Sequence, residues 1–131
     1  MILLDTHAWV WFVSNPEYLS KRANKKIREA VDEKGIIVSS ISVWEVALLA
    51  QKKRLVLSMD PGNWIVSSES LPFLHFISVD NAIALRSVNL PEPFHPDPAD
   101  RIIVSTAMIH GAAIVTKDAR IRKYPHVKTI W

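Results

Sequence analysis

Five short apolar runs divide the chain, and the segments between them carry apolar residues at helical spacing. The runs are "MILL" (residues 1–4), "IIVSS" (36–40), "HFISV" (75–79), "AAIVT" (112–116) and "VKTIW" (127–131). Each has the length of a strand, and the first is apolar at every position, which suits a strand covered on both faces. The intervening segments read as helices. "THAWVWFVS" is stopped by Asn15 and Pro16, and Ser20 caps "KRANKKIREAVDEKG", where Ala23, Ile27, Ala30 and Val31 form one apolar stripe. "SVWEVALLAQKKRL" follows from Ser42, "DPGNWIVSSESL" from Asp60, then "DNAIALRSV", "ADRIIVSTAMIHG" and a short "DARIRKY" turn or helix. Strands alternating with helices predict an α/β fold: a parallel sheet with helices on both faces. The 131 residues are one domain's worth of chain, so residues 1–131 are read as a single domain.

Composition narrows the function classes. Hydrophobic residues make up 49% and charged residues 22%, which is ordinary for a globular protein and not for a disordered one. With no cysteine, neither a disulfide framework nor a thiolate metal site is available, and the cytoplasm is the expected compartment. "MILLDTHAW" has no basic stretch ahead of its apolar residues and meets an acid at position 5, so no signal peptide is expected, and no apolar run approaches membrane-spanning length. A net charge of +3 permits an anionic partner.

In a parallel sheet the strands' carboxyl ends share one edge, and ligands bind there. Asp5 directly follows the first run, and Asp118 follows the fourth after Lys117. Glu45 is expected in the first turn of the helix after the second. Asp100 begins the helix that feeds the fourth run through "HGA", so it starts at the same edge. Each acid also has a local explanation. Ser42 to Glu45 spells a capping box, S-x-x-E. Asp97 before Pro98 is an N-cap followed by Pro at the first helical position, and Asp60 before Pro61 repeats the device. Asp5, Asp80 and Asp118 each stand where they could cap the next helical segment. None of these local roles requires Asp5, Glu45, Asp100 and Asp118 to meet at one edge.

Clustered carboxylates repel one another unless a cation sits among them, and oxygen ligands without His or Cys spacing favour Mg²⁺ or Mn²⁺ over Zn²⁺. Such ions activate water and stabilise the leaving oxygen of a phosphodiester. Four of the 13 acids belong to this set, leaving nine against 16 basic residues elsewhere. An acidic pocket in a basic surround is what a metal-dependent nuclease requires. Lys52, Lys53, Arg54, Lys117 and Arg120 are the foremost candidates for RNA contact, with Lys21, Arg22, Lys25 and Arg122 behind them. Thr6 and Thr116 flank Asp5 and Asp118 as supporting residues, with Asp97 a further one. His95 reads as a solvated loop histidine or a proton shuttle. Trp9 is expected in the core, and an exposed face of the Trp9, Trp11 and Phe12 helix is a candidate for dimerisation. Two rivals remain at this point: a phosphoaccepting receiver-like domain and a non-catalytic RNA-binding module. The receiver wants an acidic pair after the first strand, where Thr6 and His7 stand instead.

The ordered blocks "LLDTHAWVW", "VSSISVWEVALLAQKKRL", "HPDPADRIIVSTAMIHGAAIVTKD" and the closing "IW" resemble a PIN-domain protein of the VapC toxin type along the whole chain. The resemblance implies a PIN-like five-stranded parallel sheet and Mg²⁺- or Mn²⁺-dependent endoribonuclease activity. It also implies a homodimer and a cognate antitoxin that blocks the site. By position, Asp5, Glu45, Asp100 and Asp118 match the family's acidic quartet as metal-binding and catalytic residues. Asp97 is an extra acid at the start of that helix, and Asp100 is preferred as the ligand.

Overall fold

Five strands pair into one wholly parallel sheet in the computed structural model, which describes every residue from Met1 to Trp131. They are β1 (Ile2–Leu4), β2 (Ile36–Ser39), β3 (Leu74–Ile77), β4 (Ala113–Val115) and β5 (Thr129–Ile130), in the order β3-β2-β1-β4-β5. The helices are α1 (Thr6–Ser14), α2 (Lys21–Asp32), α3 (Ser40–Gln51), α4 (Pro61–Glu69), α5 (Asn81–Val88), α6 (Pro98–His110) and α7 (Ala119–Arg122). The chain builds outward from β1 through β2 to β3, then returns to the other side of β1 for β4 and β5. The order therefore reverses between β1 and β4, where an open parallel sheet leaves a crevice beyond its carboxyl ends. A receiver-like sheet of the flavodoxin type runs 2-1-3-4-5, so the strand order overturns that alternative.

Alternation along the central strand separates two cores. Leu4 of β1 turns to one face and packs with Trp9, Ile27, Val38 and Trp64, beneath α1, α2 and α4. Leu3 turns to the other and packs with Ile37, Ile103, Val104, Ile114 and Ile121, beneath α6 and α7. Leu3 pairs in register with Ile37 and Ile114, so three adjacent strands present the same face at the same level. Trp9 is wholly buried against Trp64 and Phe76, with ring centroids at 4.8 and 5.4 Å, and its indole N–H donates to Ser68 Oγ at 3.3 Å. Trp11 and Phe12 are only partly covered.

The capping residues hold most boundaries where the sequence puts them. Ser20, Asp60, Asp80 and Asp97 each accept a backbone N–H from the first turn of α2, α4, α5 and α6. Several boundaries differ from expectation, among them the end of α3, which stops at Gln51 ahead of the expected "KKRL" because Lys53 turns into the left-handed region at φ 58°. A short 3₁₀ turn, Pro16–Tyr18, follows α1, because Pro16 suits the first position of a helical turn as well as the stop of the previous one. Helix α3 begins at Ser40, capped by Ser39, directly after β2 and ahead of the expected Ser42 start. No helix is long and apolar enough to cross a membrane.

Candidate active site

Beyond the strand ends, at the reversal point, lies a cleft of about 530 Å³ lined by Asp5, Glu45, Asp97, Asp100 and Asp118. The four acids singled out from the sequence are thus brought together, with Asp97 beside them. Asp5 leaves β1 with its N–H bonded to the Val115 carbonyl of β4 at 3.2 Å, which ties the two central strand ends together. Its carboxylate caps α1 by accepting the Ala8 N–H at 2.9 Å. Asp118 caps α7, accepting N–H groups from Arg120 and Ile121 at 2.8 and 3.2 Å. Its own N–H donates to the buried Thr116 hydroxyl at 3.0 Å, so Thr116 fixes the turn that aims Asp118. Local capping and convergence are therefore not alternatives: the caps set the direction of each carboxylate.

Glu45 reaches the cleft differently from expectation. With α3 starting at Ser40, Glu45 lies in the second helical turn, and the Ser42–Glu45 capping box is not formed. Ser42 is fully buried and turns inward instead. The Thr6 hydroxyl lies in hydrogen-bond contact with both Glu45 Oε1 and Ser42 Oγ. A hydroxyl has one proton, so Thr6 donates to the carboxylate and accepts from Ser42. Thr6 of α1 is thereby the link that holds Glu45 of α3 at the cleft.

Both aspartates of α6 face the cleft, with separable duties. Asp97 Oδ1 accepts the backbone N–H of Asp100 at 3.1 Å, the N-cap bond. Asp100, one turn in, lies 3.2 Å through Oδ2 from His95 Nε2 and 3.7 Å from Arg120 Nη2. Arg120 also lies 3.6 Å from Asp118, so one guanidinium bridges two cleft carboxylates. His95 is 13% exposed in its side chain, contrary to the solvated reading. It is covered by the Phe94 ring at 4.4 Å, and neither ring nitrogen completes a hydrogen bond because the approach to Asp100 is off-line.

The electrostatics follow from burial and crowding. Burial raises Asp5 from its ordinary 3.8 to about 6, with the Thr116 hydroxyl and the Ala8 N–H pulling it back only in part. Asp100 rises to about 7, first through burial and then through the charges of Asp97, Asp118 and Glu45, which Arg120 offsets only partly. Burial raises Glu45 as well. His95 is lowered by burial and by the neighbouring Arg120. The cleft is thus short of positive charge.

No three His, Cys, Asp or Glu side chains already stand as a closed ligand shell. Asp5 and Asp118 each spend one oxygen on a helix cap, and Asp100 leans toward Arg120 and His95. The donor set nevertheless fits a hard divalent cation: carboxylate oxygens from four elements surround one cleft, and the guanidinium bridging Asp100 and Asp118 marks where a cation is favoured.

Of the basic candidates, Lys117 and Arg120 line the cleft. Lys52, Lys53 and Arg54 do not: they are exposed just past the end of α3, about 10 Å along its axis from Glu45. Sequence reading passes over Arg101. Its guanidinium donates to the carbonyls of Ser87, Phe94 and His95 and to Glu92, stapling the Pro-rich loop that delivers His95 and Asp97. A lone arginine beside Asp100, following a loop with unpaired carbonyls, is the available signal.

Residues 2–127 match the family profile described as PIN domain. Over 132 aligned positions the chain is 36% identical to ribonuclease VapC22 of Mycobacterium tuberculosis, covering 99% of this chain and 98% of that one. Among solved structures, VapBC2 of Rickettsia felis bound to a promoter DNA fragment superposes with a TM-score of 0.69 at 15% identity, covering 98% and 97% of the two chains. A toxin-antitoxin complex from Klebsiella pneumoniae gives 0.63 at 24% identity, covering 97% and 95%. At these identities the superpositions speak for the fold.

Proposed function

The chain belongs to the PIN-domain family, and from that premise we propose that it is a divalent-metal-dependent endoribonuclease, the toxin of a VapBC-type pair. The observation that carries this reading is the cleft itself, where five carboxylates gather at the reversal point of the sheet and Asp100 is pushed up to about 7. A module that bound RNA through its basic surface alone would gain nothing from such a site, since the acids repel phosphate. The 36% identity to a protein named as a ribonuclease supports the same conclusion.

In this reading Asp5, Glu45, Asp100 and Asp118 hold the metal, with Mg²⁺ or Mn²⁺ suited to the all-oxygen set. A divalent ion held there supplies Lewis acidity toward the scissile phosphate and an activated water. The chain's own residues do the rest. Thr6 aims Glu45 and its hydrogen bond opposes the rise that burial causes there, Thr116 fixes the Asp118 turn, and Asp97 caps α6 ahead of Asp100. Lys117 and Arg120 line the cleft and are placed to take backbone phosphates, and a cation held by these carboxylates would take over the charge balance that Arg120 supplies to Asp100 and Asp118.

The VapBC neighbours support a protein antitoxin as partner, and exposed Leu85 and Val88, 67% and 74% accessible on α5, support a homodimer. The test uses the chain purified free of any antitoxin. RNA cleavage with Mn²⁺, its loss in EDTA, and its loss on adding the cognate antitoxin are the expected results. Mn²⁺ is also expected to raise the melting temperature of the wild type more than that of Asp5→Asn. An equal shift in both proteins contradicts a shared site.

A further inference from the structure

The acid cleft has a neighbour, and Arg120 lines both. The second groove, of about 630 Å³, runs between the loop before α6 and the turn after α7. Phe94, His95 and Tyr124 form its floor, Arg120 and Lys123 stand at its rim, and no carboxylate lines it. The floor is fixed: the Phe94 ring packs at 4.4 Å on His95 and 4.5 Å on Tyr124, and the Tyr124 hydroxyl donates to the Pro91 carbonyl at 2.6 Å. Arg101 holds the Phe94 and His95 carbonyls from behind. Lys123 is exposed and enters none of the ion pairs of the structure.

An aromatic floor beside the unpaired cation of Lys123, with no acid in the groove itself, matches a nucleotide, a flat base beside an anionic phosphate; Arg120, at the boundary, is already paired with Asp100 and Asp118 of the cleft. The neighbouring acid cleft has the opposite character, so the shared Arg120 stands where a strand would pass from one to the other. We propose that this groove is a nucleotide subsite, taking the residue next to the scissile phosphate with its base against Phe94 and His95 and its phosphate on Lys123. The assignment rests on the ribonuclease reading above and adds a determinant of which RNA residue sits beside the cut.

Two variants test it. Lys123→Gln removes an exposed charge without disturbing packing, and Phe94→Leu removes the aromatic face, its folding checked by thermal melting. Binding is measured in EDTA at low salt with a labelled single-stranded RNA and with an abasic ribose-phosphate oligomer of the same length. Wild type is expected to favour the RNA over the abasic oligomer by about fivefold or more, and Phe94→Leu to lose most of that preference. Lys123→Gln is expected to weaken both probes alike and to lower the salt slope by about one. In Mn²⁺-supported cleavage it raises KM with little change in kcat. If wild type cleaves RNA but both variants bind and cleave as it does, the subsite is overturned and the nuclease reading stands. If Phe94→Leu does not fold, an unchanged KM and salt slope in Lys123→Gln overturn the subsite alone. If wild type binds RNA without cleaving it under any divalent ion, the nuclease reading falls and the subsite with it.

Discussion

Asp100 carries a charge at a place that disfavours it, and that single residue makes the site's electrostatics measurable. Its carboxyl sits at about 7 in the folded protein against an ordinary 3.8, and Asp5 at about 6 adds the same tendency. Between these values the folded state binds more protons than the unfolded chain, so stability falls as pH rises. The contribution is fully present below about pH 4 and lost as pH climbs through about 7. In EDTA the melting temperature is therefore expected to decline over that window. Asp100→Asn should match wild type near its lower end and exceed it by about 2 to 4 kcal/mol at its upper end, since a tenfold change in a carboxyl's acidity corresponds to about 1.4 kcal/mol. Urea unfolding at several pH values checks this, and parallel profiles for the two proteins contradict it. The identity of the acid is legible in the sequence. Its perturbed ionisation is not, because burial by α6 and the charges of Asp97, Asp118 and Glu45 come from separate stretches of chain.

At the scale of the element, α6 shows how a cap becomes part of a site. The Asp97-Pro98 start is readable because an N-cap acid and a following proline are local chemistry, and the structure has the bond they imply, to the Asp100 N–H. Asp97→Ala and Asp97→Asn both remove the charge beside Asp100, but only asparagine keeps the cap. Their stabilities are expected to differ by about 1 kcal/mol in favour of asparagine. Cleavage is expected to fall modestly and equally in both. A stable Asp97→Asn variant with no activity would make Asp97 a ligand. The start of α3 is less legible. Ser39, Ser40 and Ser42 are all competent caps, and the choice falls to Ser39 because α3 follows β2 without a loop and Ser42 is buried against Thr6. The S-x-x-E pattern is real in the sequence and unused in the fold. The burial of His95 escapes a local reading for a similar reason: its cover comes from Phe94 and the Arg101-stapled loop.

The whole molecule is a sheet that reverses its order between β1 and β4, and that reversal turns scattered acids into one cleft. Alternating strands and helices are enough to predict the parallel sheet, and the sheet is enough to bring Asp5 and Asp118 to one edge. Periodicity alone does not order the strands, and the order is what excludes a receiver-like sheet. Nor does it place basic residues, since the end of α3 carries Lys52, Lys53 and Arg54 away from the cleft while the turn after β4 brings Lys117 and Arg120 into it. In the proposed function the carboxylates act together, through a divalent cation, on RNA. The most direct test is the rate of Mn²⁺-supported cleavage of a labelled RNA by wild type and by Asp100→Asn, with folding of both confirmed. A fall of orders of magnitude is expected for Asp100→Asn, although that variant is expected to be the more stable of the two without metal. Cleavage by Asp100→Asn at the wild-type rate would contradict the proposed function.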